Sequence, residues 1–159
     1  MPETVYIETT IPSLYVSRTS GQLVEAARQR LARIWWDEHR GDYDVVCSQT
    51  VLDECGRGEA AMAARRLALL DSLPLLDLSP EVLAVARDLV GRGIIPTRAA
   101  DDAVHIAVAA VHEIDYLLTW NCRHIANPHN QRRISACLLV HGFRSSVICT
   151  PEELIGDEN

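Results

Sequence analysis

The chain has 159 residues, a formal net charge of −7, and fifteen basic residues that are all arginine. This length leaves room for one substantial core, so we expect a single domain over residues 1–159, and the negative charge opposes non-specific binding to nucleic acid. The absence of lysine excludes a P-loop, Schiff-base chemistry and the lysine-dependent acidic crevices of receiver and haloacid-dehalogenase domains.

The first half of the chain alternates short β-branched runs with helical patterns. Trp35 and Trp36 lie at the end of one helical stripe, which Gly41 stops, and Ser48 is a candidate N-cap for the helix after it. In chain order we predict a strand at 5–7, a helix from Ile11 and Pro12, a helix at 22–40, a strand at 44–47, a helix that contains Glu54, a helix at 59–70 and a strand at 74–78.

The second half continues the same alternation. We predict a helix from Ser79 to about Arg92, a helix that Asp101 and Asp102 open, a strand at 116–118, a helix at 129–143, a strand at 146–149 and a short helix begun by the capping box at 150–153. Because strands and helices alternate throughout, we expect a three-layer α/β/α sandwich with a central parallel sheet of about five strands.

Acidic or amide side chains follow three of the predicted strands. Glu8 follows the first, Glu54 lies in the helix after the second, and Asn121 follows the strand at 116–118. Ligands of open α/β sheets bind beyond the carboxyl ends of the strands, where these residues and the Asp101–Asp102 pair are expected to converge. Oxygen ligands suit Mg²⁺ or Mn²⁺. The alternative for the aspartate pair is a simple preference for the first turn of a helix.

The order of the motifs YIETT, SQTVLDE, DDAVHIAVA and LLTWN resembles that of the PIN-domain nucleases, particularly the VapC-type toxins. The resemblance spans nearly the whole chain. It implies that Glu8, Glu54 and Asp102 are catalytic residues that hold a divalent metal, and that Asn121 is a fourth catalytic residue. Asp101 is a further candidate ligand, although successive helical residues diverge by about 100° and only one can point squarely at the site. The family usually has Asp in place of Glu8 and often a carboxylate in place of Asn121.

Three arginines and two histidines lie close to these positions in the sequence. Arg57, Arg98 and Arg123 each lie within three residues of a candidate site residue. Arginine suits bidentate contact with phosphate, so we nominate them as substrate-binding residues, with ion pairing to nearby acids as the alternative. His105, one turn after the aspartate pair, is favoured as a core histidine over a metal ligand. The sequence gives His124 no role.

The function that the resemblance implies is a metal-dependent endoribonuclease, the toxin of a toxin–antitoxin pair, with RNA as substrate and a protein antitoxin as partner. It also implies a homodimer, for which the Trp35–Trp36 pair and the Leu/Ala stripes of the helices are candidate contacts, although both features are equally candidates for the core. The competing class is a non-catalytic PIN-like interaction module, which the unusual Glu8 and Asn121 motivate. A weaker alternative is a metal-dependent phosphatase acting on small molecules.

The cysteine pattern and the hydropathy indicate a compartment. The five cysteines are odd in number, widely spaced and without a CxxC pair. Cys47, Cys137 and Cys149 lie in apolar runs, which predicts small buried side chains. Cys122 follows Asn121, but no activating base is apparent for it. No apolar stretch suits a signal peptide or a membrane span, so we expect a cytoplasmic protein without membrane contact.

Overall fold

Five short strands form one parallel sheet in the computed structural model, which describes residues 1–156. The strands are β1 (Thr4–Ile7), β2 (Asp44–Ser48), β3 (Leu75–Leu76), β4 (Tyr116–Leu118) and β5 (Val147–Cys149). Their order across the sheet is β3-β2-β1-β4-β5, and each neighbouring pair is parallel. The predicted α/β fold is therefore confirmed. The single domain was predicted over residues 1–159, and the last three of these, 157–159, lie outside the described residues.

Eight α-helices in the described range flank the sheet. They are α1 (Thr10–Val16), α2 (Leu23–Ile34), α3 (Gln49–Cys55), α4 (Ala60–Leu70), α5 (Pro80–Gly91), α6 (Ala100–Val111), α7 (Pro128–Val140) and α8 (Pro151–Ile155). Ser79 caps α5 at Val82, and the predicted capping box at the start of α8 is formed by Thr150 and Glu153. No helix within residues 1–156 is both long enough and apolar enough to cross a bilayer.

The central strands are covered on both faces. Val5, Tyr6 and Ile7 of β1 are all 0% exposed. Successive side chains of a strand point to opposite faces, so helices must cover both sides of the sheet, as the predicted three layers require. Small buried residues of α6, such as Ala103 and Ala107, allow that helix to pack closely.

The predicted helix over 22–40 changes type before its end. Only Leu23–Ile34 is α-helical, and a π-helical turn at Trp35–His39 and a 3₁₀ turn at Arg40–Asp42 follow. Trp35 and Trp36 lie in the π-helical turn and are 0% and 3% exposed. They belong to the core, and the suggestion that this pair forms a dimer contact is wrong.

Two other predicted elements are shorter than expected. The strand predicted at 74–78 is reduced to β3, an edge strand whose one partner among residues 1–156 is β2. The helix predicted at 129–143 ends at Val140, and Gly142 follows with a φ of +85°. A residue with positive φ commonly ends a helix, and glycine adopts that conformation without a steric cost.

Candidate active site

The carboxyl ends of β1 and β4 place Glu8 beside Thr119. Ile7 and Leu118 are register partners, and the Glu8 amide donates to the Leu118 carbonyl at 3.1 Å. The Glu8 side chain is 2% exposed, and its Oε1 accepts hydrogen bonds from the Thr119 hydroxyl at 2.7 Å, the Thr10 hydroxyl at 2.5 Å and the Thr10 amide at 3.1 Å. Three donors therefore fix one oxygen of this carboxylate.

Burial and the hydrogen bonds act in opposite directions on Glu8. Burial raises the pKa of Glu8 above its ordinary value, and the charge of His105 and the hydrogen bonds from Thr10 and Thr119 offset only part of that rise. The fold therefore disfavours the charged form of this group unless a further positive charge is supplied.

Glu54 lies in α3, as predicted, and faces His105 of α6. Its Oε1 accepts from the Thr9 hydroxyl at 2.8 Å and lies 2.5 Å from His105 Nε2. His105 is 0% exposed, and its Nδ1 lies 2.7 Å from the Tyr6 hydroxyl, which lies 2.7 Å from Ser48 Oγ. A continuous buried chain of hydrogen bonds thus joins β2, β1, α6 and α3.

The Ser48 side chain is used differently from the prediction. Ser48 occupies the N-cap position of α3 in an extended conformation, but its side chain makes no capping hydrogen bond. Its hydroxyl pairs with the Tyr6 hydroxyl instead. The predicted N-cap position is therefore confirmed, but the Ser48 hydroxyl is engaged by a partner on a neighbouring strand, which local sequence cannot reveal.

His105 is the buried group around which the three predicted metal ligands gather. Burial lowers the pKa of His105, but the hydrogen bond to Glu54 and the charges of Glu8, Glu54 and Asp102 outweigh it and raise the pKa above its ordinary value. For Glu54 the effects are reversed. Burial raises the pKa of this carboxyl, but the hydrogen bond from His105 and the charge of His105 bring the pKa below its ordinary value. Both shifts in pKa favour the charged forms of the pair.

Asp102 has a partner that the sequence did not indicate. Its Oδ2 lies 2.9 Å from His124 Nδ1, and the two side chains are 13% and 16% exposed. The His124 amide donates to Asn121 Oδ1 at 3.1 Å, and the Asn121 amide donates to the Thr119 hydroxyl at 2.8 Å. Asn121 therefore lies in the loop that carries His124 to Asp102.

Asp101 lies at the rim of the site. Its Oδ2 is 3.4 Å from a guanidinium nitrogen of Arg57, and the side chains are 41% and 67% exposed. Such an exposed pair contributes about 0–1 kcal/mol. Arg98 and Arg123 are exposed, and within residues 1–156 neither side chain forms an ion pair or a hydrogen bond. Of the nominated arginines, only Arg57 shows the ion pairing named as the alternative.

The donor atoms fit a hard divalent cation. Glu8, Glu54 and Asp102 each use one carboxylate oxygen in the contacts described above, and the second oxygen of each accepts no hydrogen bond from residues 1–156. As a set, however, their oxygens do not come within 4.8 Å of one another among the described residues. Mg²⁺ usually binds one or two carboxylates and keeps several waters, so the arrangement suits a hydrated ion.

The strand order and the flanking helices define a PIN-like α/β fold. A chain in the crystal structure of VapBC2 from Rickettsia felis bound to a DNA fragment from their promoter is similar, with a TM-score of 0.53 and 13% sequence identity. The match covers 92% of this chain and 98% of that chain. Such a low identity shows the shared fold alone. No protein-family model matches the sequence, and comparison with curated proteins gives no match.

Proposed function

We propose that this protein is a divalent-metal-dependent endoribonuclease and the toxin component of a toxin–antitoxin pair. The observation that carries the proposal is the gathering of Glu8, Glu54 and Asp102 around the buried His105. Carboxylates gathered in this way repel one another, and a fold that keeps them together favours a cation at the same place. The PIN-like fold supports the choice of a nuclease over other metal-dependent hydrolases.

Glu8, Glu54 and Asp102 would hold Mg²⁺ or Mn²⁺ at the carboxyl edge of the sheet. When bound, the ion lowers the pKa of a coordinated water and neutralises charge on the scissile phosphate. His105 and the hydroxyls of Thr9, Thr10 and Thr119 fix one oxygen of Glu8 and of Glu54, which leaves the other oxygen oriented for the ion. These residues therefore position the ligands.

Asn121 and the arginines are proposed to act on the substrate. Asn121 Oδ1 accepts from the His124 amide, so its amide nitrogen is the group left to orient the attacking water. Arg98 and Arg123 are exposed, which leaves their guanidinium groups available for phosphates. Arg57 must exchange Asp101 for a phosphate, and Asp101 is proposed as a weaker, rim ligand of the metal.

A cavity lies beside the carboxyl edge of the sheet that carries Glu8, Glu54 and Asp102, which we call the acidic edge. This cavity favours a single-stranded substrate. Its volume is about 500 Å³, and Thr10, Arg28 and Trp120 are among the residues that line it. The Arg28 guanidinium lies 5.4 Å from the centre of the Trp120 ring, and the Trp120 amide donates to the Thr10 hydroxyl that binds Glu8. Trp120 is 7% exposed, so the surface on which a base of single-stranded RNA would stack is the Arg28 guanidinium over its ring. The cavity therefore offers a place for a base next to the reacting phosphate.

The partners are proposed from the structural likeness. The similar chain comes from VapBC2 bound to a promoter DNA fragment, and we propose a protein antitoxin for this chain as well. Leu23 and Val24 at the start of α2 are 86% and 66% exposed, which gives an apolar surface for a partner protein or for a homodimer. The cytoplasmic location remains a prediction, made from the cysteine pattern and from the hydropathy of the sequence.

The proposal is tested by incubating the protein with a mixed RNA pool and with a small phosphate ester, in Mg²⁺ or Mn²⁺ and then in EDTA. We expect RNA cleavage that EDTA and Asp102→Asn each abolish, with circular dichroism unchanged. Hydrolysis of the ester without RNA cleavage would identify a phosphatase. A folded parent that cleaves neither substrate would indicate a non-catalytic module, and RNA cleavage that survives EDTA would refute the metal mechanism.

A further inference from the structure

Asp88, Cys137 and His141 form a second cluster of metal-ligating side chains. Asp88 lies in α5, Cys137 in α7, and His141 directly after the last residue of α7. One ligand atom of each residue lies within 4.8 Å of the ligand atoms of the other two. Within residues 1–156, this is the one group of three histidine, cysteine or acidic residues whose ligand atoms lie so close together. None of these residues belongs to the acidic edge described above.

The helix geometry brings the three side chains together. Cys137 and His141 are four residues apart, so they lie on the same face of α7, which packs against α5. His141 Nε2 lies 2.8 Å from Asp88 Oδ2, and Cys137 Sγ lies 3.6 Å from the same oxygen. Cys137 is 2% exposed, whereas the side chains of Asp88 and His141 are 29% and 27% exposed. The cluster is thus closed on the thiol side and open to solvent on the other.

We propose that this cluster binds Zn²⁺. Zinc lies about 2.3 Å from sulfur and about 2.1 Å from nitrogen or oxygen, so a tetrahedral site separates sulfur and oxygen by about 3.6 Å and nitrogen and oxygen by about 3.4 Å. The observed distance between Cys137 Sγ and Asp88 Oδ2 is 3.6 Å. His141 Nε2 and Asp88 Oδ2 are hydrogen-bonded at 2.8 Å, so zinc binding requires them to separate by about 0.6 Å.

The charges around the cluster are compatible with a divalent ion. The Asp88 carboxylate and a Cys137 thiolate together balance the two charges of Zn²⁺. Arg92 Nε lies 3.0 Å from Asp88 Oδ1 and 2.9 Å from Oδ2. When Oδ2 binds the ion, Arg92 can keep Oδ1, which orients the carboxylate as a hydrogen-bonded partner of a metal ligand commonly does. Binding replaces the proton of the buried thiol.

The ligand types separate this ion from the one proposed at the acidic edge. Thiolate and imidazole favour Zn²⁺, whereas carboxylate and carbonyl oxygens suit Mg²⁺. Three protein ligands leave the fourth position for water. The partly exposed side chains of Asp88 and His141 leave that position accessible from solvent. The bound ion would tie the end of α7 to α5 and stabilise the packing of these helices.

Cobalt substitution tests this site in the intact protein. The metal-free chain is titrated with Co²⁺ in excess Mg²⁺, which occupies the acidic edge, and absorption is recorded. We expect a thiolate-to-cobalt charge-transfer band that saturates at a single equivalent and that Zn²⁺ displaces. The band should disappear in Cys137→Ser and His141→Asn. It should persist in Cys122→Ser, the matched change at the exposed cysteine, and in Asp102→Asn.

Three results would overturn the proposal. They are the absence of a charge-transfer band at any Co²⁺ concentration, a band that survives both Cys137→Ser and His141→Asn, and a band that Cys122→Ser removes. If Cys137→Ser fails to fold, the partly exposed His141→Asn decides the question alone. As a second readout, Zn²⁺ should raise the thermal midpoint of the parent more than that of His141→Asn, because a ligand stabilises only the state that binds it.

Discussion

Tyr6→Phe tests the buried chain of hydrogen bonds that holds the site. The Tyr6 hydroxyl lies 2.7 Å from Ser48 Oγ and 2.7 Å from His105 Nδ1, and all three residues are 0% exposed. Burial raises the pKa of Tyr6 well above its ordinary value, so its hydroxyl stays protonated and can donate. Phenylalanine fills the same space and removes only the oxygen. The substitution therefore leaves two buried polar groups without this partner.

The expected loss of stability follows from these two groups. Each buried polar group that loses its partner costs about 1–3 kcal/mol. Two such groups, the Ser48 hydroxyl and the His105 ring, are left by the substitution, so we expect Tyr6→Phe to lower the free energy of unfolding by about 2–6 kcal/mol. Urea denaturation followed by circular dichroism measures this loss, without added metal.

Tyr116→Phe is the matched control for this experiment. The Tyr116 hydroxyl donates to Glu3 at 3.0 Å at an exposed position, so its loss should cost less than about 1 kcal/mol. The double variant Tyr6→Phe with Ser48→Ala should recover part of the loss, because it removes one of the unpaired groups. Equal, small losses in Tyr6→Phe and Tyr116→Phe would contradict the reasoning, since the buried chain would then contribute nothing.

Three further predictions concern the acidic residues. Burial raises the pKa of Glu8, so its favourable contribution is fully present below the unfolded-state pKa and is lost as the pH rises through the folded-state value. Metal-free Glu8→Gln should therefore lose less stability than the parent as the pH rises above the unfolded-state pKa, and parallel urea-denaturation profiles would argue against it. Excess Mg²⁺ should raise the thermal midpoint of the parent more than that of Asp102→Asn, and equal rises would remove Asp102 from the site. Glu8→Asp should keep part of the RNA cleavage whereas Glu8→Gln loses most of it, and full activity in both would show that Glu8 is not a ligand.

The order of the elements was predictable because it depends on local patterns. The strand at 116–118 and the capping box of α8 are set by β-branched and apolar runs and by residues within one turn, and the structure has both where they were predicted. The predicted acids also follow the ends of strands. A parallel sheet necessarily brings such positions to one edge.

The contacts that organise the site were not predictable from local patterns. Tyr6 and His105 are separated by 99 positions, and Thr119 and Glu8 by 111, so their hydrogen bonds depend on how the helices pack. Periodicity shows that His105 is on the inward face of α6, but not that it meets Glu54. The same limit applies to His124, whose partner Asp102 lies on another element.

The measurement that tests the central claim most directly compares two neighbouring acids of α3. Glu54 is the proposed ligand, whereas Asp53 is exposed and bonds only the Gln49 side chain within the described residues. In Mg²⁺ or Mn²⁺, Glu54→Gln should slow cleavage of a mixed RNA pool by at least about 100-fold, the scale of losing one electrostatic stabiliser of a transition state. Asp53→Asn should cleave at the rate of the parent. Equal rates in Glu54→Gln and Asp53→Asn would contradict the claim that the acidic edge is the active site.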